Sequence, residues 1–345
     1  MDQLSTTDGP TPFAQNYRGI PVRSISQPGQ IIYWVVFGLM AGSALCFSVL
    51  VFLKPVAERS HGYVTLLIVT IASCAYYAMA STGGQIAISQ YGQFQGPYPG
   101  TGIEPVLRSV YWARYIDWFL TTPLLLLDLL LIAAVPFGTA LWIITADILM
   151  IVTGMFGALC SHKFKWGWYG AGCLFQVLLV YGVMVTGTAH AKARGRVTGN
   201  AKLPMVYFGL SAYLLMVWWG YPIVWGFCEG SNYASVNAEA TAYGGLDVAA
   251  KVVFGWMLFA LYPILSRQNK DEYARGAYLP PLLSAPINAM LWPSRPQGGA
   301  HQKGASTVDD TNGVGNGAGN GVGTGPVSGP GLATSGNGAP AGTTV

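Results

Sequence analysis

Seven apolar stretches, each long enough to cross a bilayer as a helix, govern what this chain can fold into. They run approximately 31–53, 63–88, 107–131, 137–159, 166–188, 203–227 and 241–265. A hydrocarbon layer about 30 Å thick takes about 20 apolar residues in a helix. Charge is scarce to match: 9% of residues are Asp, Glu, Lys or Arg, against about a quarter in soluble domains. Mean hydropathy is +0.41. The pattern predicts an all-α membrane protein, a seven-transmembrane helix bundle embedded in a lipid bilayer. The net charge of +4 is scattered and forms no basic patch suited to nucleic acid. Cys46, Cys74, Cys160, Cys173 and Cys228 sit in or beside apolar stretches without metal-ligand spacing and read as small buried residues. No metal is expected.

Around the bundle, 31–265, the composition changes. Residues 1–30 are polar and lack an apolar core, so the first spanning helix is expected to do the targeting. Gln90 to Pro105 is Gly- and Pro-rich and predicts a loop with turns or a hairpin. Residues 266–296 form a flank. From about Gln297 to 345 the chain is Gly, Asn, Ser, Thr, Ala and Pro, which predicts a disordered tail. Lys54, Arg59, Lys192, Arg194, Arg196, Lys202, Arg267, Lys270 and Arg275 would fall inside if the N-terminus is outside. Arg18, Arg23, Arg108, Lys163 and Lys165 would fall outside. The bias puts the C-terminus in the cytoplasm, most simply at a plasma membrane.

Ionisable groups within spanning helices are costly and therefore mark function. The third helix carries Arg114, Asp117 and Asp128, the fourth Asp147, the seventh Asp247 and Lys251. Arg114 and Asp117 are three apart and share a face, and Thr121 lies four further on that face. Asp128 is eleven beyond Asp117, close to three turns, and returns to the face about 16 Å along the axis. Asp247 and Lys251 are four apart and can pair. A lysine between two carboxylates on another helix outlines a proton route; the alternative is a set of ion pairs that fixes helix packing. Lys251 itself could be neutralised by Asp247 or by condensing with an aldehyde to an imine. The residues alone do not choose.

The run Tyr111-Trp112-Ala113-Arg114-Tyr115-Ile116-Asp117-Trp118-Phe119-Leu120-Thr121-Thr122-Pro123, continuing Leu124 to Asp128, resembles the third helix of bacteriorhodopsin-like proteins. Leu246-Asp247-Val248-Ala249-Ala250-Lys251 resembles their retinal-binding seventh helix, and Trp218, Tyr221, Pro222 and Trp225 match the sixth-helix pattern W-x-x-Y-P-x-x-W. The chain is thereby identified as a member of the microbial, type 1 rhodopsins. Glu229-Gly230-Ser231-Asn232 and the polar tails resemble the fungal opsin branch.

The resemblance implies all-trans retinal, buried at the centre of the bundle and held by Lys251 as a protonated Schiff base. Asp117 and Asp247 would be counter-ions, with Arg114 nearby. Asp117 would accept the proton with Thr121 hydrogen-bonded to it, and Asp128 would return one from inside. Glu229 and Glu239 align with an outer release pair, although solvated carboxylates are common at that edge. Tyr77 and Tyr221 would hydrogen-bond around Asp247. Trp118, Thr122, Leu125, Met150, Gly154, Trp218, Tyr221, Pro222 and Trp225 would line the pocket. Asp147 would lie at the ring end, or simply be a neutral acid bonded to Thr122. Trp166-Gly167-Trp168 departs from the family's tryptophan pair: Gly167 takes a pocket-lining position, for which Trp168 could compensate. The helix five to six link is longer and more basic.

The implied function is a light-driven outward proton pump, a transporter rather than an enzyme. A photosensor signalling through an unidentified partner is the alternative, and a light-gated cation channel a more remote one. Homo-oligomers are compatible with either.

Overall fold

The computed structural model describes residues 16–17, 20–56, 59–89, 107–261 and 264–265. Seven helices cross it, each long and apolar enough to span a membrane: α1 Gln27–Phe52, α2 Ser60–Ala80, α3 Trp112–Ala133, α4 Phe137–Leu159, α5 Lys165–Thr198, α6 Leu203–Gly230 and α7 Val236–Leu261. Local chemistry sets several of their ends. Pro28 lies in the first turn of α1, where its missing N–H costs nothing. Ala134 closes α3 in a left-handed conformation, φ 52°, just before Val135-Pro136. The Ser235 hydroxyl accepts from the Ala238 N–H at 3.1 Å and caps α7.

A four-stranded sheet, absent from the all-α expectation, sits at one end of the bundle. Its strands are β1 Asn16–Tyr17, β2 Ile20–Arg23, β3 Ile86–Ser89 and β4 Leu107–Val110, in the order β1-β2-β4-β3. β3 and β4 pair antiparallel, Ile86 opposite Val110 and Ser89 opposite Leu107. The glycine-rich segment between these two strands lies outside the described residues, as do 1–15 and the predicted tail. The second stretch was expected to stay helical to 88 and the third to begin at 107. Instead α2 ends at Ala80, and the chain turns through Gly84, φ +67°, where a Cβ would collide with Ala113. All four β4 residues are buried, which is why the segment reads as apolar without being helical.

The basic link expected between helices five and six is mostly helix. α5 continues to Thr198, and Arg194 donates from Nη1 to the Leu131 and Ile132 carbonyls at 2.9 and 3.1 Å, capping the end of α3. Widened π turns occur at Gly182–Gly187, Gly226–Gly230 and Val248–Val253. The last contains Lys251.

α3 is the central helix, with Asp117, Thr121, Leu125, Leu126, Asp128 and Leu129 all buried. Many large apolar side chains of the bundle are exposed, such as Leu45 and Met216 at 71% and 69% exposure. Polar groups inside and apolar groups outside is the arrangement a lipid solvent demands.

Candidate functional site

Lys251 lies at the middle of the bundle, 1% exposed. Its Nζ donates to Asp117 Oδ2 and lies 3.3 Å from Asp247 Oδ1. Both carboxylates are fully buried. An ammonium removed from water needs such partners, and two acids hold it from two helices. Asp247 is further fixed by three donors: Tyr76 Oη to Oδ2 at 2.6 Å, Tyr221 Oη to Oδ1 at 2.7 Å and Trp118 Nε1 to Oδ1 at 3.1 Å. Asp117 Oδ1 has no hydrogen-bond partner among the described residues. The Thr121 hydroxyl donates to the Asp117 backbone carbonyl at 2.7 Å.

The tyrosine assigned from sequence needs correction. Tyr77 is 53% exposed and packs on Trp34 and Phe37. Its neighbour Tyr76 is the buried residue that bonds Asp247. Adjacent residues on a helix point about 100° apart, so the neighbour of a core position faces lipid.

Next to this centre is an apolar cavity, walled in part by aromatic side chains. Trp118, Thr122, Met150, Gly154, Trp218, Tyr221, Pro222 and Trp225 line it, as the sequence implied. Leu125 does not; it is buried in the hydrophobic cluster that contains Trp218. Tyr115, Ile151, Tyr169, Gly172, Cys173, Gln176 and Tyr243 complete the wall and were not anticipated. Trp118 and Tyr221 belong to both the cavity and the shell of Asp247, so the cavity abuts the lysine centre. Gly167 is not in the wall; Tyr169 stacks on Trp225 at 5.0 Å and Trp166 meets it edge-on. Trp168 instead packs on Phe156 and is 41% exposed. Gly157 admits the Trp225 ring, since a Cβ there would lie 2.9 Å from it. Asp147 accepts from Thr122 Oγ1 at 2.8 Å, beside the cavity and fully buried.

Toward the sheet, Glu229 and Glu239 are buried, at 1% and 0% exposure, and not solvated as their place near a helix end suggested. Arg114 donates to Glu239 Oε1 at 2.5 Å and to Tyr33 Oη at 2.7 Å, and lies 3.8 Å from Glu229. Among the described residues these, and not Asp117, are its hydrogen-bond and ion-pair partners. Arg108, counted from sequence among the charges on the outside, is fully buried on β4. It donates to Glu239 Oε2 at 2.6 Å, to Asn232 Oδ1 at 2.8 Å and to the Ala234 carbonyl at 2.7 Å. Burial disfavours its charge, but Glu239, with Glu229 beyond it, more than offsets this and leaves its pKa raised. Glu229 accepts from Tyr115 and Tyr243 at 3.3 and 3.2 Å, and Lys165 Nζ donates to the Glu229 backbone carbonyl at 2.7 Å. Cys228, Glu229 and Glu239 converge closely enough to suggest metal ligands. The two guanidiniums already face those carboxylates, so the cluster is an ion-pair network.

At the opposite end, Asp128 is fully buried. Thr65 Oγ1 lies 3.0 Å from its Oδ2 and His61 Nδ1 3.1 Å from its Oδ1, both from α2. Neither was singled out from sequence, although their i, i+4 spacing puts them on one face of α2.

The model of the bacteriorhodopsin-like protein family matches residues 27–265. The opsin-like protein carO of Fusarium fujikuroi is 41% identical over 235 residues, covering 68% of this chain and 74% of that one. Among solved structures, the light-driven proton pump Coccomyxa subellipsoidea rhodopsin aligns with a TM-score of 0.63 at 50% identity, covering 69% of this chain and 99% of that one. The light-driven proton pump of Leptosphaeria maculans aligns with a TM-score of 0.66 at 36% identity, covering 72% and 99%. Halorhodopsin, a light-driven chloride pump, also aligns, with a TM-score of 0.60 at 28% identity, covering 72% and 97%. With a family match over most of its length and a relative at 41% identity, the chain belongs to the bacteriorhodopsin-like rhodopsins, integral membrane proteins of seven helices that carry retinal.

Proposed function

We propose that this protein is a light-driven outward proton pump in which all-trans retinal is bound to Lys251 as a protonated Schiff base. One observation carries the reading: a buried amine held between two buried carboxylates, at the edge of an aromatic cavity, with a further buried carboxyl on the same helix as the first. The residues fit the chromophore. Trp118, Trp218, Tyr221 and Trp225 offer flat apolar walls to a polyene, and Asp117 and Asp247 offer charge to a cationic end. Retinal supplies light absorption and a light-driven change of shape.

The chain's own residues then divide the proton work. Asp247, held by Tyr76, Tyr221 and Trp118, stays a fixed charge because three donors satisfy its carboxylate. Asp117 has an oxygen without a donor among the described residues and is the acceptor. Asp128 restores the proton to the lysine nitrogen. The Arg114, Glu229 and Glu239 cluster passes a proton outward. A carboxylate at position 117 also disfavours an anion as cargo, since like charges would meet in a buried site. We place the sheet end outside and the C-terminus in the cytoplasm, at the plasma membrane. Lys165, which opposed this orientation in the charge count, is buried against the Glu229 carbonyl and weighs less than a loop lysine.

The test is to express the chain with all-trans retinal and record pH in an unbuffered cell suspension. Illumination should acidify the medium, a protonophore should abolish the signal, and Lys251→Ala should be colourless and inactive. A coloured parent that moves no protons would favour the sensory reading, and a current that reverses with voltage would favour a channel.

A further inference from the structure

Asp128 is completely buried, so a proton donated from it must be replaced through something that reaches water. His61 is placed to do this. Its side chain keeps 16% exposure while Asp128 has none, and its Nδ1 lies 3.1 Å from Asp128 Oδ1. The other ring nitrogen makes no hydrogen bond to any described residue. His61 is in the second position of α2, at the end of the bundle away from the sheet.

Thr65 Oγ1 lies 3.0 Å from both the His61 carbonyl and Asp128 Oδ2, so one hydroxyl links the first turn of α2 to the carboxyl. With the imidazole proton on Nδ1, His61 donates to Asp128 Oδ1 at 3.1 Å.

We propose that His61 is the proton-uptake residue of the inner side, relaying protons from water to Asp128; the inference rests on the pump reading above. Once Asp128 has given up its proton, its carboxylate takes the Nδ1 proton and the free ring nitrogen takes one from water. One proton has entered, Asp128 is neutral again, and the imidazole is neutral with its proton on the other nitrogen. A half-turn of the ring, or exchange with water, restores the starting tautomer. Among the described residues, Thr65 is the other side chain that hydrogen-bonds Asp128, and a threonine cannot carry charge from bulk water.

The test is flash photolysis of the full chain with retinal, with a pH-indicating dye in the medium, comparing parent with His61→Asn and His61→Ala. Asn keeps an amide donor near the position of Nδ1 but cannot relay a proton. In His61→Asn, reprotonation of the retinal-bearing lysine by Asp128 should keep the parent's rate. Proton uptake from the medium should slow by about a hundredfold and scale with bulk proton concentration. Imidazole in the buffer should restore uptake in His61→Ala. Uptake in His61→Asn as fast as in the parent would overturn the relay. Slowing of the internal step alone in His61→Ala would assign His61 a merely structural part. A parent that takes up and releases no protons in light would sink the pump reading, and this inference with it, whatever the variants do.

Discussion

Replacing Arg108 by Gln removes the charge that ties the sheet to α7. The side chain makes two contacts to Glu239 Oε2, at 2.6 and 3.3 Å, and one each to Asn232 and the Ala234 carbonyl, with no exposure to water. Breaking one side of a buried ion pair costs about 3–5 kcal/mol, because the remaining charge stays buried. Glu239 keeps Arg114 at 2.5 Å, so the lower end, about 3 kcal/mol, is expected. At about 2–4 °C per kcal/mol for a chain of this size, Tm should fall by roughly 6–12 °C. The assay is loss of the visible band on heating in one detergent, with first-order bleaching rates compared at a single temperature, because membrane proteins often unfold irreversibly. If the whole effect is felt in the unfolding barrier, bleaching should quicken by up to roughly a hundredfold. Glu239→Gln and the double variant complete a cycle, with an expected coupling of at least about 1 kcal/mol. A Tm within a degree of the parent's, or strictly additive effects, would refute the claim that this pair is a structural tie.

Asp117→Asn should shift absorption to the red and stop pumping, because a carboxylate beside a cationic chromophore stabilises its ground state more than its excited state; an absorption spectrum and the acidification assay check both. Asp128→Asn should leave colour and the first deprotonation intact. It should slow return of the proton to the lysine nitrogen by about a hundredfold or more and make that step depend on bulk pH, with azide partly restoring it; flash photolysis at two pH values reads this out. Tyr76→Phe removes a buried bond to Asp247 worth about 1.5–3 kcal/mol and should change both the spectrum and thermal stability, while Tyr77→Phe, at the lipid face, should change neither.

The seven spans and the face shared by Arg114, Asp117, Thr121 and Asp128 follow from the sequence by itself, because apolar length and helical periodicity are local properties. The same holds for Asp247 and Lys251, four residues apart on one helix. Other features depended on partners distant in sequence. Arg108 counted only toward the charge bias until β4 paired with β2 and β3 and brought it to Glu239, 131 residues away. His61 carries no signal in the sequence; the packing of α2 on α3 sets it against Asp128, 67 residues away. The choice of Tyr76 over Tyr77 turned on helix rotation, and two adjacent aromatic residues carry no local signal of which faces the core. Glu229 and Glu239 seemed solvated because they lie near helix ends, yet the sheet and two arginines cover that end of the bundle. The sequence by itself determined which helices form and which charges share a face; only the tertiary structure decided which of those charges meet, because pairing across helices depends on rotation and depth that no single helix encodes.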